Sequence, residues 1–330
     1  MQVLVTGGAG FLGSRLVAAL LERGGVPGPD GRLREVDRVV VADVGPPARA
    51  FPDDARLETV YGDFSAEGAA ARLLREDTGV VFHLAAVVSG EAEKDFDKGM
   101  RVNLHGTERL LEACRRGAHC PTVVFASSVA AYGGDMPEVI RDDTALTPLT
   151  SYGTQKAMGE LLVNDYTRKG FVDGRALRLP TIVVRPGKPN AAASSFASSV
   201  IREPLQGEAV VCPVAPETGV WLLSPRRVIE AFLHAAASPA EAWGPSRSVA
   251  LPGLTLSVRD MLAALARVAG DEVAKRVRFE PDPFIEAIVY GWATRFAPER
   301  ALALGFRADE SFESVIEAFI EDELGGKVTR

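Results

Sequence analysis

Cysteine and histidine are scarce in this chain. Its 330 residues hold three cysteines and four histidines, and Cys114, Cys120 and Cys212 form no Cys-x-x-Cys pair. An odd cysteine count without that spacing argues against a disulfide framework and a metal site, and reads as reduced core thiols in a cytoplasmic protein. Long apolar runs are missing too, since no stretch approaches the ~18 residues that cross a bilayer. Nor is there a basic excess: the formal net charge is −7. An acidic balance argues against nucleic acid or an anionic membrane as the main partner. The first residues enter a strand directly, without a basic region or cleavage pattern, so no export signal is expected.

What is present allows a sizeable core, because 47% of the residues are hydrophobic; one large domain or two joined ones would fit. The organising stretch is the beginning. Val3-Leu4-Val5 is too short a run for a helix, meets Gly7, Gly8, Gly10 and Gly13, and is followed by Leu16, Leu20 and Leu21 at helical spacing. Strand, tight turn and helix in that order open a βαβ unit. Gly7 permits the sharp turn, Gly10 lets a pyrophosphate approach the backbone, and Gly13 lets helix and strand pack closely. The amides at the head of the new helix, around Phe11 and Leu12, then face the phosphates.

Further candidates follow along the chain. Asp43 ends the strand at 38–43, where an acid accepts from both hydroxyls of an adenine ribose and repels a 2′-phosphate. That favours NAD over NADP; a helix or turn cap for the segment after it is the plainer alternative. Asp63, before Phe64, reads as an adenine contact or as the N-cap of a helix at 66–76. The buried strand at 79–83 ends in Leu84, Ala85 and Ala86, small enough to let a cofactor pass over a sheet, and His83 reads as a packed strand residue. A helix is expected at 97–116, with Asn103 either anchoring backbone or water near the site or lying exposed. Another buried strand runs into Ser127 and Ser128. Strands alternating this regularly with helices mean an α/β fold with a parallel doubly wound sheet.

The stretch Ser151-Tyr152-Gly153-Thr154-Gln155-Lys156 opens a helix running to about 169. Tyr152 and Lys156 are four apart, hence on one face. A phenol titrates near ~10, and a neighbouring ammonium lowers that value and makes a usable base. Ser128 can hold the substrate oxygen toward Tyr152. Such a Tyr–Lys pair by itself arises by chance in many helices.

In combination these parts resemble the extended branch of the short-chain dehydrogenase/reductase superfamily, the NAD-dependent epimerases and dehydratases. Gly7-x-x-Gly10-x-x-Gly13, Asp63-Phe64, His83-Leu84-Ala85-Ala86, Ser127-Ser128 and Tyr152-x-x-x-Lys156 match in order, clearly over 1–186 and loosely beyond. The resemblance implies a Rossmann-type NAD-binding domain at 1–180. It implies a smaller substrate-binding lobe at 181–330, with a segment near 215–240 returning to the first domain. Ser128, Tyr152 and Lys156 are then the catalytic triad. Tyr152, Lys156, Pro180 and Ile182 join the cofactor contacts, and a homodimer forms through the helices at 97–116 and 152–169.

One departure from the family bears on substrate. Where members carry Asn, an aromatic and Gly before the proline, this chain has Thr181, Val183 and Arg185. Arg185 can grip a carboxylate with two parallel bonds, while Thr181, Asn190 and Ser194 can reach hydroxyls; a basic surface loop capping a helix near Phe196 is the alternative. This loop resembles members of the branch that oxidise the 2-hydroxyl of a four-carbon sugar acid with NAD. The expected function is therefore such an oxidation of a small sugar acid. A nucleotide-sugar epimerase or dehydratase shares the triad, and a non-catalytic dinucleotide-binding regulator is the third reading, against which the intact Tyr152 and Lys156 speak. Trp221, in a strand at 220–223, is pocket wall or core. Beyond it lie helices at 225–237, 258–268, from 281, and at 311–324, none with a chemical motif, and no metal is expected.

Overall fold

Strands that are apolar throughout their length need cover on both faces, which is how parallel sheets are built. In the computed structural model, which describes residues 1–28, 32–117, 119–187 and 193–329, every residue of β1 (Gln2–Thr6) is buried. The chain continues through α1 (Phe11–Arg23), β2 (Gly25–Pro27), β3 (Leu33–Glu35), β4 (Arg38–Asp43), β5 (Leu57–Tyr61), α2 (Ala69–Leu73) and β6 (Thr78–His83). Next come α3 (Ser89–Lys94), α4 (Phe96–Gly99), a π-helical turn at Met100–His105, α5 (Gly106–Gly117) and β7 (Thr122–Ser128). Then follow β8 (Ile140–Arg141), α6 (Ser151–Arg168), β9 (Asp173–Leu179), β10 (Thr181–Ile182), α7 (Ser195–Leu205), β11 (Val210–Cys212), β12 (Gly219–Leu223) and α8 (Pro225–Ala237). After them stand β13 (Ser248–Ala250), β14 (Leu254–Ser257) and α9 (Val258–Ala269).

Seven strands form the main sheet, in the order β13-β9-β7-β6-β1-β4-β5. β1 pairs in parallel with β4 and β6, β4 with β5, β6 with β7, and β9 with β13. From β1 the chain moves to one side through β4 and β5, then returns to place β6 on the other. This reversal opens a crevice beyond the carboxyl ends of β1 and β6, the place where doubly wound sheets bind ligands. Leu4, Val40, Val81, Val123 and Phe125 of the sheet pack with Leu110 and Leu111 of α5 in one buried cluster.

The chain divides into two compact units. The first comprises Met1–Ala131, Pro148–Arg178 and Ile229–Ala250, and holds the main sheet; the second comprises Tyr132–Thr147, Leu179–Val228 and Leu251–Arg330. The second unit contains a small sheet in which β12 pairs in parallel with β10 and antiparallel with β14. Its core gathers Val183, Val220 and Leu222 with Phe196 and Ile201 of α7, Met261 and Leu265 of α9, and Ile316 and Phe319 of the helix Phe312–Leu324. Trp221 lies on the other face of β12, buried and stacked on Phe296 with centroids 5.0 Å apart. Among the described residues no helix is long and apolar enough to cross a membrane.

Three local expectations need correction. The glycine- and proline-rich stretch at 24–31 reads by composition as a loop, but part of it is strand: β2 pairs antiparallel with β3. Its β3 partner is exposed at every residue, so no apolar alternation announced it. The helix expected at 66–76 shrinks to α2, which starts only after Gly68 at φ +71°. The helix expected at 97–116 is α4, a π turn and α5 in succession, and Asn103 sits buried in the π turn.

Candidate active site

The glycine turn after β1 is tight enough to exclude any side chain at two positions. Gly7 has φ +68°, and a Cβ there would fall 2.6 Å from the backbone nitrogen of Ala85. A Cβ on Gly13 would fall 2.1 Å from the Gly7 carbonyl oxygen, so α1 lies directly on the turn. Gly10 is the N-cap of α1, and no side chain caps it. The head of α1, where Phe11 and Leu12 stand, thus offers backbone amides and the positive end of the helix dipole, as a diphosphate requires. This cradle fits a dinucleotide.

Asp43 closes the cradle from β4. One carboxylate oxygen accepts the Ala9 N–H at 2.9 Å and the other accepts the Val44 N–H at 2.7 Å. The side chain is therefore a cap for the glycine turn, and each oxygen keeps a second lone pair for a ribose hydroxyl. Asp63 caps its own turn instead of a long helix, accepting from the Ser65 N–H at 2.9 Å and from the Ser65 hydroxyl. Phe64 is buried edge-on to His83, with centroids 5.5 Å apart. Leu84, Ala85 and Ala86 leave β6 beside Gly7 and are half-buried.

His83 carries more structure than a packed strand residue. Its Nδ1 lies 2.7 Å from the Thr6 hydroxyl and its Nε2 lies 2.9 Å from the Thr107 hydroxyl. The Thr107 hydroxyl donates to the Asn103 carbonyl at 2.6 Å, so it accepts from Nε2–H, and Nδ1 accepts from Thr6. Burial, with the Lys156 charge adding to it, holds His83 down to about 3. The ring is a neutral strut between β1, β6 and α5. Next to it, Asn103 donates to the Val87 carbonyl at 3.0 Å and to Gln155 Oε1 at 2.7 Å, and accepts the Val87 N–H at 2.7 Å. It ties the π turn to α6 and to the chain beyond β6.

α6 brings the reactive pair into the same unit. Thr150 caps it by accepting the Gly153 N–H at 3.1 Å, which places Tyr152 in the first turn. Lys156 is 2% exposed; its Nζ donates to the Ala126 carbonyl at 2.7 Å and lies 5.6 Å from the centre of the Tyr152 ring. Burial pulls Lys156 down to about 7, against the upward pull of Glu160. Ser128 ends β7, two residues past that carbonyl, and its hydroxyl accepts the Ala130 N–H at 3.1 Å. Gly153 is what lets α6 approach: a Cβ there would fall 2.0 Å from the Ala130 carbonyl oxygen. Tyr152 and Lys156 thus sit on a helix packed at Gly153 against the turn that follows Ser128.

The expected substrate contacts lie in the second unit. Pro180 separates β9 from β10, whose two residues are Thr181 and the buried Ile182. Arg185 is fixed by its backbone to α7: its N–H donates to the Ser198 hydroxyl at 3.0 Å, and its carbonyl accepts from Arg202 at 2.7 Å. Arg202 is itself buried and paired with Glu203 at 2.6 Å. Ser194 is the N-cap of α7, but its side chain makes no cap hydrogen bond. Asn190 and Lys188 lie outside the described residues.

Sequence reasoning missed Thr6, Thr107, Gln155, Glu160 and Arg178. For Glu160 a signal existed: it stands four residues past Lys156, on the face that Tyr152 and Lys156 share.

This constellation has counterparts. Residues 3–243 match the NAD-dependent epimerase/dehydratase family. The chain belongs to that family. It is 56% identical over 322 residues to a D-erythronate dehydrogenase of Cupriavidus necator, covering 98% of both chains. A D-erythronate dehydrogenase of Haemophilus influenzae is 44% identical over 324 residues, covering 98% of this chain and all of the relative. Among solved structures, one described as a nucleoside-diphosphate-sugar epimerase from Agrobacterium tumefaciens superposes with a TM-score of 0.94 at 44% identity, covering 100% of this chain and 96% of that one. The family is NAD-dependent by description, and the glycine cradle with Asp43 beside it suits that cofactor.

Proposed function

We propose that this protein is an NAD-dependent dehydrogenase that oxidises the 2-hydroxyl of D-erythronate, giving a 2-oxo-tetronate. The observation that carries the chemistry is the buried Lys156 ammonium beside the Tyr152 ring, held against the end of β7 where Ser128 stands. The choice of acid rests on the two dehydrogenases named above, which match nearly the whole chain.

In this reading Tyr152 takes the proton of the 2-hydroxyl while the C2 hydrogen leaves with its electron pair. NAD, when bound, supplies the acceptor for that hydride. Lys156 stabilises the phenolate, and a negative charge on Tyr152 in turn favours the ammonium that burial disfavours. Ser128 donates to the reacting oxygen. Arg185 takes the carboxylate, and Thr181, Asn190 and Ser194 take the remaining hydroxyls. Gly7, Gly10, Phe11, Leu12 and Gly13 hold the diphosphate, Asp43 the adenine ribose, and Asp63 and Phe64 the adenine. Leu84, Ala85, Ala86 and Asn103 line the cofactor's path, and Tyr152, Lys156, Pro180 and Ile182 hold its nicotinamide end. The working form is a homodimer through the helices at 97–116 and 152–169, which light scattering would measure; Phe96 and Leu161 are exposed on that part of the chain. Cys114 and Cys212 are buried as core thiols, whereas Cys120 is exposed, contrary to expectation; free thiols suit the cytoplasm.

The test is NADH formation across four- to six-carbon sugar acids, with UDP-sugars followed alongside by product analysis, because epimerisation leaves no net NADH. D-Erythronate with NAD should be turned over, and Tyr152→Phe should lower the rate by ~10²–10⁴ while NAD affinity stays within a few-fold. Turnover of a UDP-sugar but of no free acid would reject the reading in favour of an epimerase, the activity for which the Agrobacterium structure is described.

A further inference from the structure

Glu160 is 3% exposed, on the same face of α6 as Tyr152 and Lys156 and one turn further on. Its carboxylate receives two partners from two strands. Arg178 of β9 donates Nε to both oxygens at 3.0 Å and Nη2 to one of them at 2.6 Å. The Ser127 hydroxyl of β7 donates to the oxygen that Nη2 leaves. Ser127 stands between Ala126, whose carbonyl holds Lys156, and Ser128.

We propose that Glu160 is a positioning residue of the reaction, which ties the end of β7 to α6 and thereby sets Ser128 and the Ala126 carbonyl against Tyr152 and Lys156. The inference rests on the assignment of those residues above. Removing a carboxylate from a buried ion pair leaves a buried cation and strains folding for reasons unrelated to position. The tie is therefore better cut at Ser127. Among the described residues the Ser127 hydroxyl links the carboxylate to β7, and Ser127→Ala leaves the Glu160–Arg178 pair in place.

The geometry also dictates the readout. A displacement of about 1 Å of a reacting group is enough to lower a rate ~100-fold, and loss of a single hydrogen bond should displace β7 by less. Single-turnover stopped-flow, with enzyme and NAD equimolar and D-erythronate saturating, separates the rate constant of the first turnover from its amplitude. Ser127→Ala should lower the rate constant about tenfold at wild-type amplitude, with NAD affinity and Tm little changed. Glu160→Ala, where it folds, should lower the rate constant further. A Ser127→Ala rate constant within threefold of wild type, or a loss carried by amplitude alone, would overturn the proposal. Wild-type protein that forms no NADH from D-erythronate would instead fail the functional reading, and the two failures cannot be confused.

Discussion

Gly153 is the position at which the structure makes its sharpest demand. It lies between Tyr152 and the rest of the reactive stripe, and an added Cβ would meet the Ala130 carbonyl oxygen at 2.0 Å. Real Cβ atoms essentially never come closer than 3.0 Å, so α6 and the turn after Ser128 must part by about 1 Å even to reach that limit. The obstacle is backbone, which cannot swing aside as a side-chain tip would. Two effects oppose each other in Gly153→Ala. Helix propensity favours alanine by about 1 kcal/mol, whereas overpacking costs about 1–3 kcal/mol and displaces what it strains. The net stability change should therefore be small or moderately unfavourable, while a separation of that size at a reacting group is worth ~100-fold in rate. We expect kcat for D-erythronate to fall by about two decades with NAD affinity retained. Steady-state NADH production, NAD titration and thermal melting measure the three quantities. A kcat within threefold of wild type would show that the contact between α6 and the turn at Ala130 does not set the geometry of Tyr152.

Asp43→Ala should narrow or reverse the preference for NAD over NADP and also weaken both cofactors, because the Ala9 N–H loses its acceptor; binding titrations with each cofactor decide it, and an unchanged NAD preference would refute the ribose role. His83 is held down to about 3 from 6.5 by burial, so between those values the unfolded chain binds a proton that the folded chain does not, and stability falls as pH drops through that window. Melting curves from pH 7 to 4 should therefore be less pH-sensitive in His83→Asn, whatever its baseline; an identical slope would remove His83 as the cause. Hydrogen bonds to charged groups are worth about 1.5–3 kcal/mol, so Arg185→Ala should lower kcat/KM for D-erythronate by one to two decades, with Arg185→Lys restoring part. Unchanged kinetics in Arg185→Ala would move the carboxylate contact elsewhere.

The main fold was legible because its signals are local and strong. Runs such as Val39-Val40-Val41 and Val123-Val124-Phe125 are buried on both faces in the sheet, and continuous apolarity is the mark of that environment. The glycine turn was legible for a related reason, since Gly7 and Gly13 are required by backbone approach alone. Failure came where backbone pairing needs no side-chain pattern, as in the exposed β3. It also came where a helix changes its winding: nothing in Met100–His105 distinguishes a π turn from the α-helix on either side. No local pattern announced that Tyr132–Thr147 groups with segments far along the chain.

The reactive pair was legible because four-residue spacing on a helix fixes a shared face. The polar network around it was not read, yet part of it follows from a rule of burial. Charges in elements covered on both sides must be paired, since an unpaired one is costly in that environment. β9 carries Arg175 and Arg178 beside Ala176, Leu177 and Leu179, and both arginines are buried. Arg175 finds its partners in the carbonyls of Ala235 and Ala236 at the end of α8, with Asp173 beside it. Arg178 finds Glu160. Spacing could say that Glu160 shares a face with Lys156 and that a β9 arginine lacked an exposed outlet. Matching the two required β9 to lie next to β7, the strand that α6 covers, and adjacency of strands is set by the whole topology. An acid on a reactive helix face and a base in a buried strand, met together in a chain of this kind, should therefore be read as each other's partners before either is assigned to a ligand.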